Sequence, residues 1–163
     1  MYDQSIVPML RTLSALSNIL TKAESHATAK GIKPDVILGL RLFPDMMDFT
    51  KQVQLSCDFA VRAAARLTGA ELPSYPDFET SFEQLQTRIK AVQTELQAYP
   101  ATAFEDAATR KITLKIRGND VTLTGQQFLS LYALPQFYFH VTTAYNLLRH
   151  NGVEIGKADY MGA

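Results

Sequence analysis

The sequence predicts an all-α fold, a four-helix bundle that carries one small β-hairpin before its last helix. Three observations lead there. Four long stretches place apolar residues three or four apart, the spacing of a helix with one buried stripe. Between the third and fourth stretches the period drops to two, which is the signature of strands. Glycine or proline stands at the ends of the stretches, where helices stop.

The first helix is expected from about Ser5 to Ala29, with Ile6, Leu10, Leu13, Leu16, Leu20, Ala23 and Ala27 as its stripe. Gly31 offers a left-handed stop and Pro34 a break. Residues 33–43 read as a connection with at most one helical turn. The second helix is expected to start at Pro44, whose fixed φ suits a first helical position, and to end at Gly69. Its stripe is Met46, Phe49, Val53, Cys57, Ala60, Ala64 and Leu67. Pro73 and Pro76 make 70–77 an extended crossover. Thr80 and Glu83 have the spacing of a capping box at the head of the third helix, which Pro100 closes. Ile112, Leu114 and Ile116 alternate with polar residues, and Val121 and Leu123 do so again after Gly118-Asn119, so 111–124 reads as a hairpin lying on the bundle. Thr124 and Gln127 form a second capping-box pattern, Pro135 should kink or divide the last helix, and Asn151-Gly152 should stop it. The tail to Ala163 reads as irregular. No repeat or linker interrupts the chain, so 1–163 is read as one domain.

The 163 residues are enough to bury a sizeable core without staples. Sixteen basic and sixteen acidic residues give a net charge of zero, which argues against nucleic acid and against anionic membrane surfaces as partners. The stretch from Val121 to Leu148 has no charged residue, but its glutamines, Pro135, His140 and Asn146 mark it as buried protein and not as a membrane span. A bundle helix ordinarily turns one side to water. A helix uncharged on every side needs a cover, and a second copy of the chain is the simplest one, so a homodimer through the last helix is expected. The single cysteine, Cys57, permits no intrachain disulfide, and the start Met1-Tyr2-Asp3-Gln4 lacks the features of a secretory signal; both fit a cytoplasmic protein.

No nucleotide loop, zinc-protease motif, nucleophile elbow or Glu-x-x-His pair is present. The residues with chemistry to offer are few. His140 leans toward the packed side of the last helix and His26 lies at the edge of the first stripe. Each reads either as a hydrogen-bonded core histidine or as part of a polar pocket. Asp45 and Gln52, seven apart, would lie along one edge of the second helix, with Arg41 just outside it; they read as a solvated edge or as a polar patch facing His140. Tyr138, Tyr145 and Arg149 form a further stripe, read as core, interface or pocket wall. His150 suits the helix terminus as a cation, and Cys57 reads as an inert buried thiol.

Several segments resemble one bacterial domain-of-unknown-function family: Lys22-Ala23-Glu24-Ser25-His26-Ala27, Arg41-Leu42-Phe43-Pro44-Asp45-Met46, the run from Ala133 to Tyr145, Leu148-Arg149-His150-Asn151-Gly152, and the tail from Ile155 to Gly162. That family resembles the DinB/YfiT-like superfamily. The resemblance implies an up-down-down-up four-helix bundle, often dimeric. Many members of the superfamily hold a divalent metal with one histidine on the second helix and a His-x-x-x-His pair on the last, and some are thiol-dependent transferases or isomerases. Here residues 44–68 contain no histidine, and the position four after His140 is Ala144. The expectation is therefore a homodimeric small-molecule-binding protein without metal or other cofactor. The alternative is a divalent-metal-dependent thiol transferase or hydrolase with an altered site, for which His26, Asp45 and His140 would be the donors.

Overall fold

The computed structural model describes residues 1–162, so the end of the tail read to Ala163 lies outside the described residues. The chain is mostly helical. In chain order its elements are α1 (Tyr2–Lys30), α2 (Pro34–Leu38), α3 (Phe49–Thr68), α4 (Phe82–Ala98), a 3-10 turn (Ala101–Phe104), β1 (Lys111–Ile116), β2 (Asn119–Thr124), α5 (Gly125–Phe128), a π segment (Leu129–Ala133), α6 (Leu134–His150) and α7 (Lys157–Met161).

The long helices pack through the stripes read from the sequence. Leu13, Leu16 and Leu20 of α1, Val53, Ala60 and Leu67 of α3, Leu85, Ile89 and Val92 of α4, and Phe137, Val141 and Leu148 of α6 share one core. Side-chain pairs fix the directions. Ser17 bonds Gln86 and Ser14 bonds Gln93, so α1 and α4 run antiparallel. Phe59 touches both Tyr132 and His140 while Gln52 reaches His140, so α3 runs antiparallel to the helix ending at His150.

The second long helix does not start at Pro44. It starts at Phe49, capped by Asp48, whose carboxylate accepts from the Lys51 amide. A side-chain cap satisfies a free N–H that proline's favourable φ cannot. Residues 41–48 instead form a loop. It is closed at its base by Phe49 N–H donating to the Leu40 carbonyl, and pinned by Arg41, which reaches the Met46 carbonyl and Asp48. The cap of α4 lies one residue later than expected: Ser81 accepts from the Gln84 amide, and Gln84 accepts in return from Thr80.

The hairpin pairs Ile112 with Leu123 and Leu114 with Val121. Its turn residues are Arg117 and Gly118, both with positive φ, and not Gly118-Asn119. Ile112 and Leu114 are buried, and Ile116, Val121 and Leu123 half-buried, so the expected face lies on the helices. The Thr124–Gln127 capping box forms as expected. It is seated by Gly125, where any Cβ would collide with the Ala107 carbonyl. Proline at 135 offers no N–H to the turn before it, and the helix widens there into the π segment. The tail is not irregular. It folds into α7, held by Lys22–Asp159, by Arg11 donating to the Met161 carbonyl, and by Thr142–Tyr160.

Candidate functional site

Among the expected site residues, the structure joins Gln52 and His140. Both are buried, 1% and 8% exposed. Gln52 projects from the first turn of α3, and its amide nitrogen donates to the Met47 carbonyl in the preceding loop. That fixes its oxygen toward His140, which lies 2.8 Å from it through Nδ1. An amide oxygen only accepts, so Nδ1 carries the proton and Nε2 holds the lone pair. The Nε2 atom has no hydrogen-bond partner among the described residues, and it is not sealed from solvent. Phe59 stacks on the imidazole, with centroids 5.4 Å apart, and Phe139 meets it edge-on at 5.2 Å. In these apolar surroundings burial lowers the His140 pKa to about 4. At neutral pH the site is thus an uncharged imidazole held in one tautomer, with one open acceptor on an aromatic bed.

The other expected residues lie elsewhere. Asp45 and Arg41 are exposed on the 41–48 loop, so Asp45 does not share a helix edge with Gln52. His26 is half-buried on α1, in a shallow groove with Lys22, Lys30 and Glu154. Tyr138 lies beside Thr12, and burial raises its phenol pKa. Tyr145 packs edge-on against Tyr160 of α7. Arg149 and His150 are exposed at the end of α6. The two-histidine, one-carboxylate set of His26, Asp45 and His140 is not assembled, and among the described residues no three His, Cys, Asp or Glu side chains are grouped so as to hold a metal. The position after His140 where a second imidazole would stand, Ala144, is buried in the core.

Sequence reasoning missed a second polar centre, on the opposite flank of α3. The Arg88 side chain is 1% exposed and bonds Asp58 at 2.6 Å, Glu79 at 2.9 Å and the Pro76 carbonyl at 3.1 Å, with Asp77 at 3.2 Å and the Tyr75 ring below it. Gln54 donates to Glu79. The Glu79 and Asp77 pKa values are lowered: burial works the other way, but the bonds from Arg88 and Gln54, and from Lys51, outweigh it. Cys57 is fully buried next to this cluster, and burial pushes its thiol up to about 12. The signal was present in the sequence. Leu85, Arg88 and Val92 keep the three-four spacing of a core stripe with a charge in the middle.

The family model for a domain of unknown function, DUF1993, matches residues 1–161. A DinB family member protein from Shewanella denitrificans has a crystal structure 43% identical to this chain, with a TM-score of 0.94 over 99% of this chain and 92% of that one. No curated protein matches.

Proposed function

The chain belongs to the DUF1993 family and is DinB-like in fold, and from that premise we propose that it is a homodimeric protein that binds a small organic molecule at His140, without the three-histidine metal centre. In this reading the four long helices are the up-down-down-up bundle of the superfamily, and the remaining helices decorate it.

One observation carries the reading: the open Nε2 of a neutral, tautomer-fixed imidazole lying among Phe59, Tyr132 and Phe139. Such a group accepts a hydrogen bond from a hydroxyl or N–H donor while the aromatic rings take its apolar part. Its low pKa keeps the acceptor available throughout the physiological range. Phenol is a suitable probe, having one donor on one ring. Titrated into untagged protein, it should shift the His140 Nε2 resonance and the ring signals of Phe59 and Phe139, and those ring shifts should vanish in His140→Phe. Absence of any shift at millimolar phenol contradicts the reading.

A second reading keeps a metal. A ligating histidine commonly donates its other N–H to an oxygen that orients it, which is the relation of His140 to Gln52. One imidazole is too few for a closed site, so water or substrate would have to complete it. Equimolar zinc or manganese in untagged protein, lost in His140→Ala, favours this reading over the first.

A further inference from the structure

Counting outward from His140, α6 and the π segment turn a stripe of Leu131, Pro135, Phe139, Thr142 and Asn146 to solvent, with Leu131 68% and Phe139 54% exposed and no charge among them. The adjoining outer row of α3 is Leu55, Phe59, Arg62 and Arg66, spaced for one helix face and all half-buried. Together they form one surface with two unlike ends. At the end where α6 meets the start of α3, the 41–48 loop exposes Phe43 (63%), Met47 (51%) and the carboxylate of Asp45. At the other end stand Leu131 and the guanidinium of Arg66 beside Tyr132. Asp58 pairs with Arg62 and Arg41 with Asp48, which leaves Asp45 and Arg66 without an ion-pair partner among the described residues.

We infer that this α3/α6 face is covered by a second copy of the chain across a two-fold axis near Phe139, which sets the partner's 41–48 loop against Leu131 and its Asp45 against Arg66. The surface is self-complementary. Rotating it by half a turn lays the apolar loop end on the apolar Leu131 end, and the free carboxylate on the free guanidinium, twice per dimer. The uncharged middle meets its own image with no like-charge repulsion. His140 lies inside the covered area, so the second copy forms the outer wall of the site and Nε2 opens into the space between the two copies. This inference rests on the homodimer in the reading above and assigns its face and its register.

The experiment is a dimer dissociation constant from sedimentation equilibrium for the wild type, Asp45→Arg, Arg66→Asp and the double exchange. The wild type should be dimeric at micromolar concentration. Each single reversal should weaken association about tenfold or more, and the double exchange should restore it to within about threefold, because it rebuilds the pair with its signs swapped. A monomeric wild type overturns the homodimer itself. A dimeric wild type whose single variants associate unchanged, or whose double variant is not rescued, overturns this face and leaves the homodimer standing. Phenol binding at His140 is read separately from both.

Discussion

Helix α3 carries a buried polar centre on each flank, and the two are built on opposite principles. Toward α4 lies Arg88 with Asp58, Asp77 and Glu79, where charges are buried and compensated by charges. Toward α6 lies His140 with Gln52, where nothing is charged and one acceptor is left open. A buried ion cluster is costly to break, because removing one member strands the others in a medium that solvates them poorly. It ties the 70–80 crossover to α3 and α4 and has little left to offer a ligand. A neutral imidazole fixed from one side is cheaper to keep and has a valence to spare. The difference separates the part of α3 that holds the fold from the part available for chemistry.

The largest expected effect breaks the first centre. Arg88→Ala leaves Glu79 buried without its cation and Asp58 with only the half-exposed Arg62, and should cost about 3–5 kcal/mol in urea unfolding. On the other flank, Gln52→Leu removes only a neutral partner from the His140 N–H and should cost about 1–3 kcal/mol. Equal losses from the two variants would erase the distinction drawn here.

The two centres should also separate by pH. The His140 pKa is depressed in the fold, from 6.5 to about 4, so the unfolded chain takes up the proton first as pH falls. Stability is therefore full above about 6.5 and declines between there and about 4, by at most about 1.4 kcal/mol per pH unit and by less because Nε2 reaches water. The Asp77 and Glu79 pKa values are lowered below the usual carboxylate range, so their contribution is present above that range and is lost as pH falls through it and below. His140→Phe should flatten the upper part of the profile and leave the acid limb intact. The smallest effect concerns Cys57. With its thiol pushed up to about 12 and fully buried, it should resist thiol reagents at pH 8 until the chain unfolds.

What the sequence made legible was local. The stripes of α1, α3, α4 and α6 and the switch to period two at Ile112 needed only spacing, and the structure keeps them. The start of α3 was misread because Pro44 is a general signal, whereas Asp48 is the residue whose side chain meets the free amide. That one shift moved Asp45 off the helix and onto the exposed loop before it. Helix α7 was missed because five residues have no helical stability of their own; Lys22, Arg11 and Thr142, far off in sequence, hold it. Arg88 was not legible because its partners Asp58, Asp77 and Glu79 come from α3 and the crossover, and only the fold brings them to one buried point. The Gln52–His140 bond spans 88 residues, so residue type suggested it and only the fold could supply the register.

The α6 flank of α3 presents a neutral imidazole with its proton on Nδ1. A pH titration of histidine side-chain nitrogens by 15N NMR reads both properties together. One histidine should show the Nδ1–H tautomer and stay neutral down to about pH 4, and its pKa should rise in Gln52→Glu, where a carboxylate would face it. A His140 that titrates near 6.5, or that carries its neutral proton on Nε2, would contradict it.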